Sequence, residues 1–115
     1  MALTINSVSV SPAVLVCGQS YFIDVNVTAD ADDVEDGSAY RLFVFVNHNL
    51  VSTNTGHLQE APWIPPTYTF HIPVTAGPGP DIYDVRALLL EGPKGVDPDG
   101  YPSFGSAGPI AVACP

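Results

Sequence analysis

The sequence predicts an all-β protein, a single antiparallel β-sandwich of seven or eight strands spanning residues 1–115. Three observations carry this expectation. Apolar residues alternate with polar ones over short runs, the period of a strand with one face on a core, and nowhere at a helical period. Gly and Pro together make up 22 of 115 residues and cluster between those runs, as turns do. At this length the chain closes one core rather than two, and 46% apolar content is enough to fill it.

The elements follow in order. TINSVSVSP is a strand ended by Pro12, and AVLVCG is a short apolar segment stopped by Gly18. QSYFIDVNVTAD alternates cleanly, with Tyr21, Ile23, Val25 and Val27 on one face and Phe22, Asp24, Asn26 and Thr28 on the other. The acidic run DADDVEDG, residues 30–37, is a loop. AYRLFVFVN is apolar on both faces. Asn47-His48-Asn49 makes a turn into a weaker strand, LVSTNT. GHLQEAPWIPP reads as a loop because three prolines cannot sit in a ladder. TYTFHIPV places Tyr68, Phe70, Ile72 and Val74 inward. DIYDVRALLLEG is the longest strand, GPKGVDPDGYPSFGSAG a long irregular loop, and GPIAVAC the last strand.

One local motif sharpens the fold. Asp81-Ile82-Tyr83-Asp84-Val85 resembles the D-x-Y-x-C pattern of immunoglobulin strand F, in which the tyrosine hydroxyl bonds back to nearby backbone. Val85 stands in place of the cysteine, and AYRLFVFVN has no tryptophan. The chain is therefore similar to the wider immunoglobulin and fibronectin type III superfamily rather than to an antibody domain. SVSVSP followed by AVLVCGQSYFIDVNV likewise resembles the A, A′ and B strands of such modules.

That resemblance bears on the two cysteines, which otherwise read equally as buried thiols. In such sandwiches A′ runs parallel to G, so Cys17 and Cys114 fall at the same end of one strand pair and a disulfide is expected. A disulfide implies an oxidising compartment. The sequon Asn26-Val27-Thr28 fits that compartment. The segment MALTINSVSV lacks the basic region and long apolar run of an intact signal peptide. The expectation is an extracellular or secreted protein, with the cytoplasm as the alternative.

A net charge of −9 disfavours phosphate backbones and anionic membrane surfaces as partners. No apolar run reaches the roughly 18 residues of a membrane-spanning helix. In the expected sandwich the B–C, C′–E and F–G loops share one end. That pole then holds nine of the twelve acids: Asp30, Asp32, Asp33, Glu35, Asp36, Glu60, Glu91, Asp97 and Asp99. Calcium takes about six to eight oxygens, and Asp30, Asp32, Asp33, Asp36, Asp97 and Asp99 are the candidate ligands of a site shared by two loops. Val34 interrupts any EF-hand spacing. A solvated acidic rim and a docking site for a basic partner are the alternatives.

The same end carries Trp63, Tyr101 and Phe104, with His57 and Glu60 beside them. Aromatic rings next to carboxylates and amides are what sugar recognition uses: the ring stacks on the apolar sugar face and the polar groups take the hydroxyls. A tryptophan plugging the core is the alternative for Trp63. His48, His57 and His71 are spread too widely to share a metal. No Ser, His and Asp fall in a hydrolase motif, and no glycine-rich phosphate loop follows a strand, so no enzymatic activity is expected. If Tyr83, Val85, Ala87 and Leu89 face the core, Leu88 and Leu90 face out. Strand C then shows either Phe43 and Phe45, or Leu42, Val44 and Val46, beside them, an apolar patch suited to a homodimer. The function expected is a non-catalytic, glycan-binding module working through its acidic and aromatic loops. The alternative is a dimeric protein-interaction or immunomodulatory module using the outer C–F–G sheet.

Overall fold

The computed structural model describes residues 3–29, 37–58, 67–95 and 97–115. Eight strands are present among the described residues: β1 (Thr4–Ser11), β2 (Leu15–Val16), β3 (Ser20–Thr28), β4 (Ala39–Val46), β5 (Asn49–His57), β6 (Thr67–Thr75), β7 (Asp81–Gly92) and β8 (Gly100–Ala113). They form two sheets, β1-β3-β6 and β2-β8-β7-β4-β5, packed as an all-β sandwich. All ladders are antiparallel except β2 with β8, where Leu15 and Val16 run parallel to Val112 and Ala113.

Side-chain parity decides what lies between the sheets. Tyr21, Ile23, Val25 and Val27 of β3 meet Leu42, Val44 and Val46 of β4 and Tyr83, Val85, Ala87 and Leu89 of β7 in one buried cluster. Each fully buried Val, Leu or Ile contributes about 1.5–3 kcal/mol. The inward parity of β4 leaves Phe43 and Phe45 on the outer face of the five-stranded sheet, their ring centroids 6.5 Å apart. The sandwich is closed along β1 and β8. There the Ile5 N–H donates to Ser103 Oγ at 2.9 Å, and Gly105 makes room for the neighbouring strand. A Cβ at Gly105 would lie 2.6 Å from Ile5 Cγ2 and 2.8 Å from Val8 Cγ2.

The tyrosine motif does what its resemblance implies. The Gly77 N–H donates to the Tyr83 hydroxyl at 2.9 Å, tying the β6–β7 connection to the start of β7. Tyr83→Phe removes that acceptor from a part-buried N–H. It should destabilise the fold by about 1–3 kcal/mol in urea denaturation while leaving its circular dichroism unchanged. Tyr21 lies beside Tyr83, ring centroids 6.2 Å apart. Burial, and secondarily the charge of Tyr83, push the Tyr21 hydroxyl up to about 12. In the unfolded chain it ionises near 10, so between pH 10 and 12 the unfolded state binds fewer protons and stability falls with pH. The stability curve should be level just below pH 10 and then drop by up to about 1.4 kcal/mol per pH unit. Tyr21→Phe should flatten that drop, as read by denaturation at pH 9, 10 and 11.

The β4–β5 turn has both central residues in the left-handed region, Asn47 at φ 48° and His48 at φ 69°, which suits the right-handed twist of a hairpin. Asn47 also fastens this turn to β7. Its Oδ1 accepts the Asp84 N–H at 2.8 Å, and its own N–H donates to the Asp84 carbonyl at 2.9 Å.

On the outer face of the small sheet, Asn6 Nδ2 reaches Asn26 Oδ1 and Thr28 Oγ1. Asn26 Nδ2 donates to Thr69 Oγ1 at 2.9 Å. The sequon asparagine is thus part of a polar ladder on the middle strand of that sheet. Cys17 and Cys114 are joined as a disulfide, with Cα atoms 5.2 Å apart at a sequence separation of 97.

Three expectations are corrected. The run expected as a long irregular loop ends at Gly100, where β8 begins and continues for 14 residues. This strand tolerates Pro102 and Pro109 because both fall where its register with β7 shifts, so neither is asked to donate to that ladder. The weaker strand is longer than LVSTNT: β5 takes in Gly56 and His57. Glu91 is no part of a solvated rim, being 2% exposed. Its Oε1 accepts the Leu3 N–H at 2.8 Å, which anchors the chain just ahead of β1.

Candidate functional site

Register places one end of every long strand at a common pole. Thr28 lies opposite Thr67 in the small sheet. Ala39 lies opposite both His57 and Gly92, and Glu91 opposite Gly100, in the large one. The β3–β4, β5–β6 and β7–β8 connections therefore leave from the same end, as expected for the acidic and aromatic loops. The Leu58 N–H donates to the Ser38 carbonyl at 2.9 Å, joining the roots of the first two connections.

At this pole a surface pocket of about 370 Å³ is lined by Tyr40 and Arg41 of β4, Thr55, Gly56 and His57 of β5, and Gly95, Asp97 and Pro98 of the β7–β8 connection. Gly56 shapes its wall. A Cβ there would come within 2.9 Å of the Tyr40 hydroxyl, so the absence of a side chain lets the phenol lie flat against β5. The Tyr40 ring in turn packs 5.5 Å from Phe70 across the sandwich. The pocket thus combines a guanidinium, an imidazole, a carboxylate, hydroxyls and an aromatic wall. Its charged groups and hydroxyls can exchange hydrogen bonds with a polyhydroxylated ligand.

His57 and Asp97 are brought together on this pocket. Asp99 is exposed two residues further along, just ahead of β8. Tyr101 follows on β8, 61% exposed and held at φ 50°. That conformation costs a non-glycine residue about 1–2 kcal/mol, so its exposure comes at the expense of backbone strain.

Phe104 departs from expectation. It is 71% exposed but lies opposite Leu88, in a cross-strand row with Phe43 and Thr53 on the outer sheet face, away from the pocket. Leu88 and Leu90 are on that same face, each half-buried, as are Phe43 and Phe45. Trp63 and Glu60, and the carboxylates Asp30, Asp32, Asp33 and Asp36, lie outside the described residues. Among the described residues no group of three or more His, Cys, Asp or Glu side chains is gathered as a metal site requires. Asp97 and Asp99 alone do not supply one.

Sequence reasoning passed over Arg41, Tyr40 and Thr55 as site residues. Parity offered a signal for Arg41: it shares the outward parity of Phe43 and Phe45, so a cation interrupts an apolar row at the strand end nearest the loops. Thr55 gave none, because its role comes from lying opposite Arg41. No helix among the described residues is long and apolar enough to cross a membrane.

No family model and no curated protein matches this chain. Among solved structures, it is similar to the CARDB domain of a Pyrococcus furiosus protein, crystallised in complex with di-metal ions. The TM-score is 0.61 at 13% identity, over 97% of this chain and 91% of that one. At that identity the likeness concerns the backbone alone, and the chain is an all-β sandwich of the same class.

Proposed function

We propose that this protein is a non-catalytic binding module that takes a glycan at the pole shared by the β3–β4, β5–β6 and β7–β8 connections. The observation that carries this reading is the pocket between Tyr40, Arg41, Thr55, His57 and Asp97. Its mixture of donors, acceptors and one aromatic wall suits hydroxyl recognition. Tyr101, exposed on a strained backbone next to this pole, adds a stacking surface. Strand order β1-β3-β6 against β8-β7-β4-β5, together with the tyrosine corner, supports an immunoglobulin or fibronectin type III-like ancestry. Such folds place binding loops on a rigid sandwich. The disulfide is compatible with secretion. Calcium enters this reading through Asp30, Asp32, Asp33 and Asp36 acting with Asp97 and Asp99.

A glycan array with and without calcium tests the reading. Arg41→Gln and His57→Ala should each weaken binding at least tenfold with little change in melting temperature, since both side chains lie outside the core. Trp63→Ala should abolish binding at small cost in stability. A loss of about 3–5 kcal/mol on that substitution, with blue-shifted emission in the wild type, would assign Trp63 to the core and remove it from the site. Absence of binding to any glycan rejects the proposal.

A second reading, as a protein-interaction or immunomodulatory module, draws on the outer face of the large sheet. The Phe43–Phe45 ring contact and the exposure of Phe104 make an apolar surface there with Leu88 and Leu90. Leu88→Arg should abolish any association through that face without disturbing the core.

A further inference from the structure

Among the described residues, strand β5 ends the order β2-β8-β7-β4-β5 and makes its ladder with β4 alone. Its other edge therefore presents backbone N–H and C=O groups outward over a strand of nine residues. The other edges among the described residues are each blunted, and the stretch of β8 that β2 leaves uncovered carries Pro102 and Pro109 and lies against β1. Strand β1 packs against β8 and spends the Ile5 N–H on Ser103 Oγ. Strand β6 carries Pro73 within its length. Strand β2 is two residues long.

Strand β5 has none of these devices. Its sequence, Asn-Leu-Val-Ser-Thr-Asn-Thr-Gly-His, contains no proline and no Lys, Arg, Asp or Glu. Leu50 and Val51 are 54% and 39% exposed at the end of β5 away from the acidic pole.

We propose that β5 pairs antiparallel with β5 of a second copy of this chain, joining the two large sheets into one continuous sheet. The edge is its own complement, neutral along its whole length with an apolar margin at Leu50 and Phe45, and charge sets the orientation. Two chains of net charge −9 repel wherever acids meet, and β5 is a long edge free of acidic side chains. Antiparallel pairing about a two-fold axis near Thr53 sends the His57 ends, and with them the acidic poles, to opposite ends of the assembly. A parallel arrangement would stack the poles together. The pairing also continues an existing surface: Leu50 lies opposite Phe45 at the sheet's margin, so two outer apolar faces would merge across the junction. The association is by the edge, and differs from one made through the Phe43, Leu88 and Phe104 face.

The test is light scattering on the wild-type chain, Thr53→Lys and Leu88→Arg from micromolar to millimolar concentration. Wild type should rise towards twice 12.1 kDa. Thr53→Lys, whose side chain is exposed and leaves the β4 ladder intact, sets two like charges opposite each other across the axis and should weaken dimerisation at least tenfold. Leu88→Arg should still dimerise. Should Thr53→Lys fail to fold, Thr55→Lys substitutes for it. Amide exchange supplies a readout without any variant: outward β5 amides should gain protection as concentration rises. A chain that stays monomeric throughout overturns the proposal, even if β5 proves to bind an added peptide. So does a dimer lost in Leu88→Arg but kept in Thr53→Lys.

Discussion

Reduction of the Cys17–Cys114 bond should lower stability by about 4–5 kcal/mol, the chain-entropy value for a loop near 100 residues. The bond spans 97 residues, nearly the whole sandwich. Most of its effect is exerted on the unfolded chain, which it keeps compact, and little on native contacts. A domain of this size has about 5–15 kcal/mol in total, so the reduced protein should stand near its threshold. Urea denaturation with and without reductant, and of Cys17→Ser/Cys114→Ser, measures the difference. The slope against urea should also rise on reduction, because a chain released from the link exposes more surface. Intact mass should increase by two hydrogens on reduction. Two labelled thiols in the unreduced, unfolded chain would remove the bond and this effect with it.

Leu42→Ala should cost about 2–5 kcal/mol. Leu42 is fully buried on β4 and sits opposite Leu89 of β7, which is 1% exposed. Truncation opens a cavity between two strands whose backbones are fixed by ladders on either side, so the site collapses poorly. Leu42→Met keeps the volume and should cost under about 1.5 kcal/mol. Leu88→Ala, one residue from Leu89 but on the outer face, should cost much less than Leu42→Ala. Equal costs at Leu42 and Leu88 would mean that the parity of this sheet is not as described.

Much of the architecture was legible because strand period 2 is a local property. The inward sets of β3, β6 and β7 could be read directly from Tyr21 to Val27, Tyr68 to Val74 and Tyr83 to Leu89. Strand β4 could not be resolved that way, since Leu42, Val44 and Val46 are as apolar as Phe43 and Phe45. Only packing chooses between them. Strand β8 was hidden by composition. Gly100, Pro102, Gly105, Gly108 and Pro109 are turn residues by propensity, yet a strand whose register shifts where the prolines fall loses little by having them. Gly105 is moreover required by Ile5 and Val8, which are far away in sequence. Glu91 was misjudged for a similar reason: its partner is the Leu3 N–H, 88 residues away. The pocket was half legible. His57 and Asp97 stood out by residue type, whereas Arg41 and Thr55 acquire meaning only through cross-strand register.

The disulfide has a mechanical consequence as well. Pulling the chain from points before Cys17 and after Cys114 transmits tension through the sulfur–sulfur bond, and the residues between the two cysteines carry none of it. At about 3.3–3.6 Å per extended residue, more than 300 Å of contour length stays locked inside the oxidised protein. What remains open to force is the segment ahead of Cys17, where β1 can peel from β3 and β2 from β8. The oxidised sandwich therefore behaves as a nearly inextensible link with a short compliant leader, and reduction turns the same chain into a long spring.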